Sequence, residues 1–205
     1  MSYPYSITFI NNSNQAGTAC LYQQDSGHYG PGAMSLAWMA RPSMPNMSTV
    51  FSWTIDYSFY WAETGALRPG VQVNPGQTIP ADPRDSNSIV LTSPAPYNFR
   101  FDSPQQRSQQ GTFYVTGDAS IPPNTVTFGI GMSGAGTFGV QAQPNYTNVF
   151  TPHPSYWLTF GDYQQGQVLD VDSMVEAVRV EFPGNVYDMR VTLNPDNTFT
   201  VQQGR

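Results

Sequence analysis

Ser133 lies in Gly131-Met132-Ser133-Gly134-Ala135, one residue short of the G-x-S-x-G turn that presents a nucleophilic hydroxyl to a histidine and an acid. His153 lies downstream, but no Asp or Glu stands between the two, and Asp162 and the later acids follow the histidine. That order is wrong for the hydrolase fold that uses such a turn. The overlapping run Gly129-Ile130-Gly131-Met132-Ser133-Gly134 matches the dinucleotide pattern G-x-G-x-x-G. Phosphate binding there also needs a helix opening at those glycines, and Ala135-Gly136-Thr137-Phe138-Gly139 cannot start one. The run reads instead as a glycine-rich strand or bulge where backbones approach closely.

Metal and acid chemistry is thinly supplied. His28 and His153 are the only histidines and Cys20 adds one thiol, and a tetrahedral zinc site would need nearly all three plus a carboxylate. Asp170-Val171-Asp172 places two carboxylates on one face of a strand. Calcium takes about six or more oxygens, so Asp82, Asp85 or Asp162 would have to be brought in by the fold. These acids read as solvated or helix-capping groups. Glu63, Glu176 and Glu181 are the glutamates, and the separation that defines a glycosidase pair is not written in the sequence. No catalytic residue, metal or cofactor is expected, and the protein reads as a non-enzyme.

Aromatic side chains carry the better binding hypothesis. Trp53, Tyr57 and Trp61, or Tyr156 and Trp157, offer a flat platform for sugars or other apolar faces, but the alternation of the first three with Ile55 and Phe59 marks those as core. Tyr60, Tyr22, Tyr114 and Trp157 fall on the opposite parity from their core-facing neighbours. They suit a second buried face, a self-contact or a ligand, and Tyr60, Tyr114 and Trp157 are the candidate ligand-binding residues.

The composition narrows the partners. The chain has 205 residues, of which 39% are hydrophobic, 14% aromatic and 11% charged, with a net charge of -6. An ordinary globular protein is about 25% charged. All basic residues are arginines, scattered singly, and there is no lysine. Nucleic-acid binding, which needs clustered cations, is therefore not expected. Schiff-base and P-loop lysine chemistry are absent with the lysine. No apolar run approaches the roughly 18 residues of a membrane span. Lysine is also a common guard on sheet edges, so a β-protein without it lacks one protection against self-association. The single cysteine allows no intrachain disulfide. Met1-Ser2-Tyr3-Pro4-Tyr5 lacks the basic and apolar regions of a signal peptide, which sets the expectation of a cytoplasmic protein, with leaderless export the alternative.

The elements that must position these groups are strands. Phe51 to Trp61 alternates apolar and polar residues and predicts one long strand. Tyr5-Ile7-Phe9, a turn at Asn11–Asn14 and a return over 19–23 predict a first hairpin. Further alternation marks 36–38, 71–73, 89–91, 97–101, 113–116, 126–132, 156–160, 178–182, 186–193 and 198–201. Asn194-Pro195-Asp196-Asn197 makes a hairpin turn. Ser103 to Gly111 reads as a hairpin tip. Only 172–177 offers a helix, with Asp172 or Ser173 as N-cap and Glu176 completing a capping box. The expected fold is all-β: one domain over 1–205, a two-sheet antiparallel β-sandwich, jelly-roll-like, with long loops and at most one short helix near 172–177.

Several segments resemble one family. Ser6-Ile7-Thr8-Phe9-Ile10-Asn11-Asn12-Ser13, Met34-Ser35-Leu36-Ala37-Trp38, Gly129 to Thr137, and Phe150 to Trp157 through Gly161-Asp162-Tyr163 are similar to the rhizosphere-induced RhiA-like bacterial proteins. The resemblance covers the whole chain. It implies a soil- or plant-associated bacterium and regulated, abundant expression, and brings no established activity or catalytic residue. The expected function is that of a structural protein that associates with copies of itself into a filament, inclusion or regular array. A module binding a glycan or a small apolar ligand through exposed aromatics is the alternative, and a hydrolase of unrecognised type the third reading.

Overall fold

The computed structural model describes residues 4–24, 32–174 and 176–204. Among them every regular element is a strand, apart from one 3-10 turn at Val171–Ser173. In chain order the strands are β1 (Tyr5–Asn11), β2 (Gly17–Gln23), β3 (Met34–Ser35), β4 (Met39–Ser43), β5 (Ser48–Trp53) and β6 (Tyr57–Glu63). Next come β7 (Gln77–Ala81), β8 (Ser88–Ala95), β9 (Asn98–Phe101), β10 (Phe113–Gly117), β11 (Val126–Met132) and β12 (Ala135–Gln141). The chain ends with β13 (Tyr146–Phe150), β14 (Tyr156–Gly161), β15 (Ala177–Val180), β16 (Asp188–Leu193) and β17 (Phe199–Gln203).

They form four sheets, ordered β17-β16-β1-β5, β15-β14-β2-β4, β13-β10-β8-β9 and β3-β12-β11-β6-β7. Pairing is antiparallel except for β1 with β16 and β8 with β10. The first two sheets enclose one core, built on Ile7, Phe9, Leu21, Trp38, Phe51, Trp53, Leu158 and Val191. The last two enclose another, built on Phe59, Leu91, Phe113, Phe128, Phe138 and Phe150. The all-β, sandwich-like architecture follows from the alternation, but it uses four sheets where two were expected.

The reason lies partly at residues 54–56. The run 51–61 is not one strand. β5 belongs to the first sheet and β6 to the last, and the chain changes sheets between them. Ser133, in the β11–β12 turn, holds the connection: the Thr54 N–H donates to Ser133 Oγ at 2.9 Å, and Ser133 Oγ lies 3.0 Å from both Thr54 O and Asp56 Oδ1. Ile55 breaks the buried parity and is 41% exposed. The expected β1–β2 hairpin is also a crossover, since β1 pairs with β5 and β16 while β2 pairs with β4 and β14. Residues 103–111 likewise carry the chain from β9 across to β10, which pairs with β8. Asn87 anchors that loop, accepting from the Arg107 N–H at 2.6 Å and donating to Gln109 O at 2.9 Å. Near 172–177 the described residues form one 3-10 turn, Val171–Ser173, and residue 175 lies outside them. Asp170, not Asp172 or Ser173, is its N-cap residue, and Ser173 Oγ donates to Asp170 Oδ2 at 2.7 Å.

Two smaller clusters cover second faces of the sheets. Leu36, Tyr60, Ala62, Val73 and Val168 bury the far side of β6, and Cys20, Tyr22, Ala37 and Leu169 that of β2. The segments at 36 and 71–73, expected as strands, supply these covers and make only isolated bridges, Leu36 to Val168 and Gln72 to Gln167. The glycine-rich hairpin now has a physical role. A Cβ at Gly136 would sit 3.0 Å from the Tyr60 ring, and one at Gly139 would sit 2.9 Å from the Tyr60 hydroxyl. At Gly129 it would collide with the Phe138 carbonyl. Three missing side chains thus make the room that one tyrosine fills.

Candidate functional site

The nucleophile candidates are occupied by structure. Ser133 takes a positive φ of 50° in its turn, and its hydroxyl is bonded to Thr54 and Asp56. His153 is exposed on the segment before β14. Cys20 is fully buried, and burial pushes its thiol up to about 12, so no thiolate forms near neutral pH. Among the described residues no three His, Cys, Asp or Glu side chains group as metal ligands. His28 lies outside the described residues. Asp82 Oδ1 accepts from the Arg84 N–H at 2.7 Å, which makes it a turn cap.

The three candidate aromatics occupy three separate settings. Tyr60 is 1% exposed, and its hydroxyl donates to Phe138 O at 2.8 Å. It forms the second buried face. Tyr114 is half-buried on β10, with the Arg107 guanidinium 4.6 Å over its ring and its hydroxyl donating to Gln109 Oε1 at 2.9 Å. Trp157 is half-buried on β14, packs on the Cys20–Tyr22 cluster and donates from Nε1 to Ser155 Oγ at 3.1 Å. No shared platform brings them together.

Two other features could meet a partner. The first is the sheet edge. Among the described residues each outermost strand has one hydrogen-bonded strand neighbour, so one side of its backbone is unpaired within the sheets. Edge strands β4, β7, β9 and β15 carry Arg41 with Pro42, Pro80, Arg100 and Arg179 respectively. β5, β13 and β17 carry neither charge nor proline. Neither edge strand of the β17-β16-β1-β5 sheet therefore carries a charge or a proline of its own, and the Arg41 guanidinium of β4 lies 5.8 Å over the Phe51 ring of β5. Beside β5 the surface is apolar: Met44, Met47 and Val50 are 56%, 42% and 52% exposed.

The second feature is a cleft of about 440 Å³ at one end of the first sheet pair. Tyr5, Tyr156 and Phe182 line it with Ile55, Pro154 and the Arg179–Glu181 ion pair, whose atoms are 2.9 Å apart. The rings interlock: Tyr5 and Phe182 meet edge to face at 5.1 Å, and Tyr5 stacks on Trp53 at 5.9 Å. Trp53 Nε1 donates to Tyr156 Oη at 3.1 Å, while burial drives the Tyr156 hydroxyl upward and keeps it protonated. Sequence parity missed this cleft because its residues come from the start of β1, the 54–56 connection, the start of β14 and the end of β15. The Phe150-to-Tyr163 segment that carried the resemblance contributes Pro154 and Tyr156 to its wall.

No helix among the described residues is long and apolar enough to cross a membrane. No solved structure matches the chain. A curated relative, Protein RhiA of Rhizobium leguminosarum bv. viciae, is 31% identical over 201 residues, covering 96% of this chain and 85% of that protein. The RhiA family model matches residues 2–204. With the family model matched over residues 2–204 and a relative 31% identical over most of both chains, the chain belongs to the RhiA family.

Proposed function

We propose that this protein is a non-enzymatic structural protein that polymerises head to tail, the β5 edge of one copy pairing with the β17 edge of the next. The observation that carries this reading is the β17-β16-β1-β5 sheet, the one sheet with full-length strands at both edges and neither charge nor proline on either. Two different edges on one molecule make a heterologous contact, which propagates as a filament unless its rotation closes a ring. A paired strand satisfies the backbone groups that face water at each edge, and burying Met44, Met47 and Val50 adds apolar area. The absence of lysine from the chain lowers the cost of ordering such a surface.

The test is a pair of edge variants, Val50→Lys on β5 and Gln202→Lys on β17. Both positions are exposed, so the fold tolerates the charge. Negative-stain images of wild type are expected to show elongated particles, and each variant alone is expected to abolish them. Mixing the variants restores only pairs, because each retains one working edge. Particles unchanged by both substitutions would exclude this contact.

A further inference from the structure

We infer that the cleft between Tyr5, Tyr156, Phe182 and the Arg179–Glu181 pair binds a neutral hexose unit of a glycan. This site is distinct from the edge contact and uses none of the three aromatics singled out in the sequence. Its volume of about 440 Å³ falls in the range of small-ligand sites and exceeds what one ordered water needs.

The wall chemistry selects the class. A pyranose has an apolar face of C–H groups and a rim of hydroxyls. Aromatic rings carry negative potential on their faces, which attracts weakly positive C–H groups. Tyr5 and Phe182 meet near a right angle, at 90°, so the cleft has ring surface in two orientations. Tyr187 lies 5.3 Å from Tyr5 and continues the aromatic surface beyond the cleft. Arg179 supplies donors and Glu181 acceptors, the two functions that sugar hydroxyls require. Because the two charges already neutralise each other at 2.9 Å, the rim offers no net charge to an ionic ligand. An acidic sugar would have to displace Glu181 from Arg179, and an amine would have to displace Arg179 from Glu181. A purely apolar ligand would leave the ion pair unused and cover it from water at a cost. Ile55 at the mouth is exposed in the free protein and gains cover when the cleft is filled.

The probes are glucose, galactose, N-acetylglucosamine and cellobiose, with glucuronic acid and phenol as counter-probes. Saturation-transfer NMR reads transfer from the aromatic protons to sugar C–H groups, and the change in total tryptophan fluorescence that is lost in Trp53→Phe reads the ring stacked on Tyr5. A single hexose in one open cleft is expected to bind with a Kd of about 1 mM, with the disaccharide tighter. Glu181→Gln and Arg179→Ala remove one rim function each. Both residues are exposed, so the melting temperature is expected to hold while affinity falls about tenfold. Phe182→Leu keeps an apolar side chain and removes the ring, and is expected to weaken binding by a similar factor. No saturation by any neutral sugar overturns the proposal. So does tighter binding of phenol or glucuronic acid, or affinity that none of the three variants changes.

Discussion

Tyr60 and the glycines around it allow a prediction worked atom by atom. Tyr60→Phe deletes a hydroxyl that donates to Phe138 O inside the protein. A buried hydrogen bond lost from one side costs about 1–2 kcal/mol. Gly139→Ala places a methyl 2.9 Å from that hydroxyl and 3.0 Å from Thr127 Cγ2. Overpacking of this kind costs about 1–3 kcal/mol. Gly139 has no positive φ, so the alanine backbone is unstrained, and loss of unfolded-state freedom returns about 0.4–1 kcal/mol. The double variant removes the atom that the methyl strikes. Its cost is therefore expected to fall short of the sum of the singles by about 0.5–2 kcal/mol, the Thr127 contact remaining. Urea unfolding followed by the buried Trp38 and Trp53 measures all three, provided the m-value stays constant. Additivity within about 0.3 kcal/mol would refute the reasoning, because it would mean that the Tyr60 hydroxyl and the Gly139 Cα do not face each other.

Other expectations follow from the same geometry. Cys20 is expected to resist a thiol-specific disulfide reagent in the native state and react fully in denaturant, since its thiol is buried and held at about 12; stoichiometric native labelling would contradict its placement. Ser133→Ala is expected to destabilise by about 1–2 kcal/mol in chemical unfolding, because the Thr54 N–H and Asp56 lose their hydroxyl partner. An unchanged unfolding midpoint would count against the sheet-switching role given to that turn. The Asp196 carboxylate accepts from the Thr198 hydroxyl and N–H, which holds it below the usual carboxylate value. A depressed folded value means that its contribution is present above the unfolded value and is lost as pH falls through the folded one. Thr198→Val is expected to raise the Asp196 midpoint in an NMR titration, and an unmoved midpoint would remove the hydroxyl as the cause.

The alternation made the strands legible and left the sheets unread. Val126–Met132 is recovered to the residue, and the turn at 194–197 joins β16 to β17 as its Asn-Pro-Asp-Asn chemistry predicts. Period-two alternation reports which face of a strand is buried, and says nothing of which sheet the strand joins. That is why Phe51 to Trp61 reads as one strand although Ser133, some eighty residues later, divides it. It is also why Tyr60 was ambiguous: its parity marks a second face, and only the loops at 36, 71–73 and 168 decide that this face is covered. The hydroxyl of Ser133 drew attention as chemistry and is joinery, while the glycines of 129–139 serve the close backbone approach that the sequence predicts for them. Of the aromatic cleft only Tyr156 was legible as a binding residue, because its walls meet only through long-range pairing of β1, β14 and β15 with their neighbours.

Self-association is the central claim, and its most direct test is molar mass by light scattering after size exclusion, over a hundredfold range of concentration. Low charge density should make the association only mildly sensitive to salt, and repulsion falls as pH approaches the isoelectric point near 4.5. The account predicts a mass above 22.6 kDa that rises with concentration and rises further from pH 8 towards pH 4.5, while Val50→Lys and Gln202→Lys reduce it. A mass of 22.6 kDa at every concentration and pH would contradict it.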